Sequence, residues 1–239
     1  MCISTIFKKL WRSRWIVQNI FSIIRFNFHY LPFKQAVKLP ILLYKPKLLK
    51  MGGVIRIDAD HVRMGMIQFG RQLVSIYPNS GITYENHGGT IIFKGKCCIG
   101  NNSAISIGKS STVTFGDDFV ATASFKLVSY TGIKFGTKTS FGWDCLIMDT
   151  GFHPLYDIEK KTFKKSYGKI VIGDYNWFAN QCTIMHSVET PERCIFGLRS
   201  VITRGAKLES YAVHGGTPIK VLTRGVMRDY DNDRIEEYV

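Results

Sequence analysis

Bulky apolar residues recur at every sixth position in the C-terminal half of the chain. They fall at Ile172, Phe178, Ile184, Thr190, Phe196, Ile202 and Leu208, and only Thr190 among them is polar. A helix repeats every 3.6 residues and a strand every two, so neither keeps this phase over 36 residues. The spacing predicts a solenoid of short strands, in which each flat face takes one six-residue unit and points its bulky residue inward.

Small residues mark a second position of the same repeat. Gly or Ala often follows the bulky residue, and a small side chain comes three positions later, at Ser103, Ser111, Thr139, Cys145, Cys182 and Ser200. Small side chains fit the tight corners between flat faces, and glycine relieves crowding of the backbone there. The predicted fold class is therefore all-β, and Cys145 and Cys182 are interpreted as corner residues.

The six-residue phase breaks between Ile147 and Ile172, which lie 25 positions apart. About nineteen extra residues, roughly residues 149–169, are expected to leave the solenoid as one long excursion loop. This segment is polar and charged, as a surface loop should be. A long loop in a compact repeat domain is more often functional than accidental.

The positive charge is concentrated at the N-terminus. Residues 1–57 hold eleven of the 32 Lys and Arg residues and none of the 18 acidic residues. Residues 3–28 contain no Pro or Gly and place apolar residues near helical spacing with cations between them, which predicts a basic amphipathic helix. Two partners stay open for this segment: an anionic membrane contacted through residues 1–50, or the main domain or a neighbouring subunit.

Composition and segment lengths bound the organisation. An apolar fraction of 45% in 239 residues is enough for one large core, which excludes a disordered chain. We expect a basic, partly helical extension over residues 1–53, a β-helix domain over residues 54–225 and a C-terminal tail over residues 226–239. The longest uncharged run of the extension, residues 15–24, has ten residues, whereas a spanning helix needs about 20.

Targeting, metal and nucleic-acid signals are weak. No signal-peptide cleavage pattern follows the first apolar stretch, so a cytoplasmic protein is expected, with peripheral contact at the inner face of the plasma membrane as an open alternative. Six Cys without metal-ligand spacing are expected to be reduced thiols, and no metal site is predicted. The charge lies outside the repeat and no nucleic-acid-binding motif is present, so no nucleic-acid partner is expected.

Several segments resemble a known family. The [Ile/Leu/Val]-Gly-x-x-[Ser/Thr/Ala]-x repeat, with IGDYNWFANQCTI, FGLRSVITRGA and GGTPIKVL, resembles the hexapeptide-repeat acyltransferases and, within them, the maltose/galactoside and polysaccharide O-acetyltransferases. The likeness covers roughly residues 90–225. It implies a left-handed parallel β-helix, acetyl-CoA as co-substrate, and a homotrimer with each site between two subunits.

His153 is the candidate catalytic residue. It lies near the start of the predicted loop, and DTGFHPLYD resembles the family segment that carries the catalytic histidine. A sugar hydroxyl is a weak nucleophile at neutral pH, and an imidazole can accept its proton as it attacks a thioester. Either Asp149 or Asp157 is expected to orient the ring and fix its tautomer.

The resemblance also implies coenzyme-binding positions. Those matching the path of the pantetheine arm are Trp177, Ala179, Gly197, Ser200, Thr203 and Arg204. The resemblance implies that the Trp177 ring lines the acceptor or coenzyme channel, and its alternative role is to cap the solenoid wall. Lys220 and Arg224 match cations that face the coenzyme phosphates, and solvated charges are the alternative. His214 allows either packing or pantetheine contact.

Departures from the family pattern concern the acceptor. Ser124, itself a candidate acceptor-binding residue, stands where galactoside-type relatives carry an acceptor-binding Asn, so a simple galactoside or maltose is not expected. The preferred function is acetyl-CoA-dependent O-acetylation of a sugar hydroxyl in surface-polysaccharide or lipopolysaccharide synthesis. The alternatives are N-acetylation of an amino sugar or antibiotic, and a non-catalytic membrane-docking scaffold.

Overall fold

The chain begins with a long helix and continues as a solenoid of parallel strands. The computed structural model describes the backbone of residues 3–233 and the side chains of residues 17–233. Helix α1 spans Ile3–Tyr30 and helix α2 spans Phe33–Ala36. The helix predicted over residues 3–28 is confirmed, although the side chains that made it basic before residue 17 lie outside the described part.

Three sheets form the sides of a triangular prism. Sheet A contains β1 (Ile41–Leu43), β4 (Ile67–Arg71), β7 (Cys97–Asn101), β10 (Phe119–Ala123), β13 (Ser140–Phe141), β18 (Trp177–Phe178), β21 (Cys194–Phe196), β23 (Ala212–Gly215) and β24 (Lys220–Arg224). Sheet B contains β2 (Pro46–Met51), β5 (Ile82–Asn86), β8 (Ser103–Ile107), β11 (Lys126–Ser129), β14 (Leu146–Met148), β19 (Thr183–Ile184) and β22 (Val201–Ile202). Sheet C contains β3 (Val54–Ile57), β6 (Thr90–Phe93), β9 (Thr112–Phe115), β12 (Ile133–Phe135), β17 (Ile170–Ile172) and β20 (Glu189–Thr190).

The chain visits sheets A, B and C in turn, and pairing within each sheet is parallel until β24, which runs antiparallel to β23. Residues at the same place in successive coils therefore stack. In the last coils Trp177 pairs with Ile195 and Ile195 with Val213, each eighteen positions on. One turn thus takes three six-residue units, and the predicted left-handed parallel β-helix is confirmed.

The solenoid starts earlier than residue 54. Strands β1 and β2 pair with β4 and β5 and form the first two sides of a coil inside the extension predicted over residues 1–53. Pro46 is the first residue of an edge strand, where the missing N–H costs no ladder bond. Asn27 of α1 covers the neighbouring edge: its Nδ2 donates to the Ile41 carbonyl at 2.7 Å and its Oδ1 accepts the Ile41 N–H at 3.1 Å.

Aromatic rings stack along the interior beneath sheet A. The ring centroids of Phe141 and Phe178 lie 4.4 Å apart, as do those of Phe178 and Phe196, and Phe196 then stacks on the His214 imidazole at 5.3 Å. The small residues predicted for the corners are all buried: Ser103, Ser111, Thr139, Cys145, Cys182 and Ser200. At Gly173 a Cβ would lie 2.5 Å from the Pro191 carbonyl of the next coil, so close approach of two backbones requires glycine there.

Two loops leave the prism. The predicted excursion at residues 149–169 is confirmed, because Ile133 pairs with Ile170, 37 positions on. It carries an antiparallel hairpin of β15 (Leu155–Asp157) and β16 (Thr162–Lys164). A second, shorter excursion was not predicted: residues 72–81 leave the solenoid between β4 and β5. These are called the 149–169 loop and the 72–81 loop below.

Candidate active site

The 149–169 loop is anchored by a buried carboxylate at the corner between sheets B and C. Asp149 is fully buried. Its oxygens accept hydrogen bonds from Ser129 Oγ at 2.8 Å and from the N–H groups of Tyr130 at 2.7 Å, Thr131 at 2.9 Å and Gly132 at 2.6 Å. Asp149 therefore fixes the point where the loop leaves the solenoid.

His153 follows this anchor on a tight turn. Its N–H donates to the Gly151 carbonyl at 2.6 Å, and the N–H of Phe152 donates to Thr150 Oγ at 3.0 Å. The Phe152 ring packs edge-on against Tyr130, with centroids 5.1 Å apart. His153 itself is exposed. The turn holds the backbone of His153 close to the B–C corner and leaves the side chain accessible to solvent.

The two carboxylates expected to orient His153 are bonded to other groups in the single chain. Asp149 accepts hydrogen bonds from residues 129–132 at the corner. Asp157 lies 3.1 Å from Lys164 Nζ and accepts the N–H of Lys160 at 3.0 Å. These contacts lower the pKa of Asp157. Both acidic residues thus stabilise the loop and hairpin that carry His153.

The other predicted residues lie on a different part of the prism. Trp177 belongs to sheet A, the side that faces away from the B–C corner, while Ser124, Ala179 and Gly197 lie along the corner between sheets A and B. The structure therefore separates His153 from Trp177, Ser124, Ala179 and Gly197 within one chain, whereas Thr203 and Arg204 follow β22 on the side of the B–C corner.

Buried hydroxyl groups along the A–B corner are satisfied internally. Ser124 Oγ accepts a hydrogen bond from Asn102 Nδ2 at 2.6 Å, and Ser200 Oγ donates to the Gly197 carbonyl at 2.6 Å. Cys145 and Cys182 donate through sulfur to the carbonyls of Ala179 and Gly197 in the next coil, at 3.2 and 3.3 Å. Both thiols are buried corner residues, as predicted.

The 72–81 loop covers the A–B corner near the N-terminal end of the solenoid. The buried side chain of Asn101 holds it, because Nδ2 donates to the Pro78 carbonyl at 3.1 Å and Oδ1 accepts the Leu73 N–H at 3.3 Å. Tyr77 reaches down to Trp143, with ring centroids 5.7 Å apart, and its hydroxyl donates to Asp144. That bond raises the pKa of Tyr77 to about 12.

Trp177 borders a small cavity on sheet A. The cavity has a volume of about 290 Å³, and Lys138, Trp143 and Tyr230 also line it. The Arg228 guanidinium lies over the Trp177 ring, 5.0 Å from its centroid. Tyr230 OH is 2.7 Å from Ser140 Oγ and donates to the Asn176 carbonyl at 3.2 Å, which folds the C-terminal tail back onto the sheet.

This tail contact was not predicted, because no local pattern in residues 226–233 signals it. Residues 234–239 of the predicted tail lie outside the described residues.

The predicted phosphate-binding cations Lys220 and Arg224 lie at the C-terminal end of the prism, and Lys220 is exposed. Thr203 and Arg204, predicted along the pantetheine arm, are exposed at the same end. Arg224 forms a two-point ion pair with Glu209, with N–O distances of 2.7 and 2.9 Å, which lowers the pKa of the Glu209 carboxyl.

His214 is the buried end of the aromatic stack. Burial lowers its pKa, and Nε2 accepts the Glu209 N–H at 3.0 Å. With no exposed surface, His214 packs in the core and does not reach a pantetheine arm.

Comparisons with known proteins identify the architecture. No protein-family model matches the chain. The crystal structure of the polySia-specific acetyltransferase NeuO matches with a TM-score of 0.51 at 21% identity, over 82% of this chain and 92% of that one. The chain has the hexapeptide-repeat acetyltransferase fold. A maltose O-acetyltransferase from Clostridium difficile 630 matches at a TM-score of 0.41 and 14% identity, over 85% of this chain and 82% of that one.

A relative in sequence comes from Klebsiella pneumoniae and is described as an uncharacterized 24.8 kDa protein in the cps region. It is 27% identical over 148 residues, which are 62% of this chain and 64% of the relative. The match thus spans less than two thirds of the length of either protein. What an acetyltransferase fold does in this chain has to be argued from its own residues.

Asp149→Asn is expected to lower the free energy of unfolding by about 1.5–3 kcal/mol. The NH₂ group of the new amide would face backbone N–H donors whose hydrogen bonds the carboxylate accepts, so those donors would lose their acceptor. Urea denaturation measures this loss. Trypsin cleavage at the lysines of residues 160–165 should also accelerate, since the loop loses its anchor. Asp157→Asn removes an ion pair to the exposed Lys164 and should lower the free energy of unfolding by less, about 0.2–1 kcal/mol. Equal stability of Asp149→Asn and wild type would contradict the anchoring role.

Proposed function

We propose that this protein is an acetyl-CoA-dependent O-acetyltransferase that modifies a sugar hydroxyl in surface-polysaccharide or lipopolysaccharide synthesis. The observation that carries the proposal is the exposed imidazole of His153, held on an anchored loop of a hexapeptide-repeat acetyltransferase fold. Among the described residues no group of three or more His, Cys, Asp or Glu is arranged as a metal site. The proposed chemistry uses acid–base catalysis by this chain's own side chain.

The site is proposed to form between two chains of a homotrimer. His153 lies at the B–C corner and Trp143 at the A–B corner, and both belong to the coil that contains β13, β14 and β17. A three-fold axis parallel to the prism keeps equivalent coils at the same height. A neighbouring chain can therefore bring its His153 level with Trp143 and the tip of the 72–81 loop.

In the proposed reaction His153 takes the proton from the acceptor hydroxyl as the oxygen attacks the thioester carbonyl. A C–O bond forms and the C–S bond breaks, and the imidazolium returns the proton to the departing sulfur. Backbone N–H groups or water would stabilise the developing oxyanion.

Small residues and exposed cations suit the coenzyme. Ala179 and Gly197 leave the backbone of the A–B corner uncovered by large side chains near the C-terminal end of the solenoid. Arg204 and Lys220 are exposed at the same end. We assign the pantetheine arm to the corner and the phosphates to these cations, since guanidinium and ammonium groups bind phosphate well. Arg224 can bind the coenzyme phosphates with these cations only if it exchanges its ion pair with Glu209 for one with a phosphate.

His153→Ala is expected to reduce acetyl transfer by about 100-fold or more, because the variant lacks the general base. The measurement is the turnover of acetyl-CoA with hydroxyl-sugar and amino-sugar acceptors. His87→Ala is the matched control, since His87 is an exposed histidine that follows β5 at the same B–C corner. Near-wild-type transfer by His153→Ala would refute the assignment. Faster transfer to amines than to hydroxyls would favour an N-acetyltransferase, and failure to bind acetyl-CoA in calorimetry would favour a non-catalytic scaffold.

Mixed trimers test the two-chain site. His153→Ala and Trp177→Ala are each expected to lose most activity, but co-assembled chains should regain part of it, because some interfaces then combine an intact His153 with an intact Trp177. Turnover of the mixture after joint refolding is compared with that of each variant alone. Absence of recovery, with mixed trimers verified by mass, would place both residues in one chain's site.

We also propose peripheral contact of α1 with an anionic membrane. Val17, Phe21, Ile24 and Phe28 lie at helical spacing on the side of α1 that faces away from the solenoid, and Phe21 is 85% exposed. The buried residues of the same helix, such as Phe26, face the first coil. No acidic residue occurs before Asp58, so the segment suits negatively charged lipid. No helix in residues 3–233 has the length and apolar content to cross a bilayer.

Phe21→Ser is expected to weaken binding to vesicles of phosphatidylglycerol and phosphatidylcholine severalfold, because it removes the most exposed apolar ring of α1. Co-sedimentation at low and high salt measures the effect. Leu222→Ser is the control, since Leu222 is 64% exposed at the opposite end of the solenoid. Unchanged vesicle binding would contradict the proposal. Loss of the trimer in Phe21→Ser would show instead that the stripe packs on a neighbouring subunit.

A further inference from the structure

An open cavity lies between α1 and the first two coils of sheet A. Its volume is about 690 Å³, within the range of small-molecule sites. Four parts of the chain contribute walls: α1, the end of β1 with the residues after it, β4, and the 72–81 loop. None of these residues belongs to the proposed catalytic and coenzyme positions.

The lining of the cavity is rich in carboxamides and contains no carboxylate. The carboxamides come from Gln18, Asn19, Gln68, Gln72 and Asn79. Each carboxamide offers both donors and an acceptor, a combination that matches the hydroxyl groups of a sugar. The Gln68 amide already donates to the Gly65 carbonyl at 2.9 Å, whereas Gln18 and Gln72 make no side-chain hydrogen bond to another residue of the described part.

Two cations face the same space without acidic partners. Arg71 Nη1 donates to Gln68 Oε1 at 3.1 Å, and Lys45 Nζ donates to the Asn79 carbonyl at 2.8 Å. Within residues 17–233 neither cation forms an ion pair, whereas Arg224, Arg228 and Lys138 do. The Tyr44 hydroxyl donates to the same Gln68 Oε1 at 3.4 Å, and burial raises the pKa of this phenol to about 12.

The 72–81 loop links this cavity to the proposed active site. Gln72 and Asn79 form one wall of the cavity, while Tyr77 of the same loop contacts Trp143 and Asp144. Three strand-to-strand steps of sheet A separate β4 from β13, and each step is about 4.8 Å. The cavity therefore lies roughly 14 Å along the prism from the coil of His153, a distance that an extended oligosaccharide can bridge.

We propose that this cavity is a remote acceptor subsite that binds an acidic saccharide, with Arg71 and Lys45 facing a sugar carboxylate and the carboxamides binding its hydroxyl groups. A planar guanidinium pairs with a carboxylate through two parallel hydrogen bonds. The role of the subsite in acceptor binding rests on the proposed acetyltransferase function, whereas saccharide binding itself does not.

The test is calorimetric binding of three acidic tetrasaccharides, of sialic, galacturonic and glucuronic acid type, without acetyl-CoA, against neutral maltotetraose. At least one acidic probe is expected to bind more tightly than maltotetraose, and Arg71→Gln should weaken that binding by at least tenfold. Arg56→Gln is the control, because Arg56 is an exposed arginine on sheet C. Equal binding of all acidic probes and maltotetraose, or no effect of Arg71→Gln, would overturn the proposal.

Further arms separate this inference from the catalytic proposal. His153→Ala should bind the acidic probe like wild type, so binding that persists without acetyl transfer would retain the subsite and refute the catalytic assignment. Arg71→Gln should raise KM for a long acidic acceptor more than for its monosaccharide. Loss of binding to phosphatidylglycerol vesicles in Arg71→Gln, with saccharide binding intact, would identify a lipid-headgroup site and reject the saccharide subsite.

Discussion

Parallel stacking of short coils is the constraint on which the rest of this structure depends. A single coil has too little interior to bury its own apolar residues, so each coil is stable only against its neighbours. Stacking places Phe141, Phe178 and Phe196 in one ring column and brings backbones close enough to require Gly173. It also leaves unpaired strand edges at the N-terminal end, where Asn27 of α1 supplies the hydrogen bonds that a further strand would make.

The same constraint explains why the two excursion loops lie at corners. The strands of each flat face form hydrogen bonds with the strands of neighbouring coils. Extra residues can therefore leave the coil without breaking these bonds only at the corners, between consecutive strands. Both loops do so: the 149–169 loop at the B–C corner and the 72–81 loop at the A–B corner. Each is held by one buried polar side chain, Asp149 or Asn101, that satisfies several backbone groups of its corner or loop. In the proposed trimer, loops on different corners of neighbouring chains meet at one site.

The two ends of the chain have different surfaces. At the N-terminal end, α1 presents an apolar stripe outward and borders a cavity with two cations that lack ion pairs in the described part. Toward the C-terminal end, ion pairs such as Arg224–Glu209 and the returning tail cover the last coils. In the proposed arrangement, acceptor saccharide and lipid surface approach from the first end, and the coenzyme phosphates lie at the other.

The sequence alone determined the repeat, the boundaries of the 149–169 loop and the burial of Cys145 and Cys182, because each depends on a local spacing of six that is regular in the C-terminal coils. It could not predict the 72–81 loop, since the early coils are wider, as in the 22-residue step from Cys97 to Phe119, and hide an insertion. It offered Asp149 or Asp157 as the partner of His153, whereas the folded corner supplies four other donors to Asp149. Only the tertiary structure decided those partners, and the separation of His153 from Trp177, because both depend on which corners distant segments occupy once the coils stack.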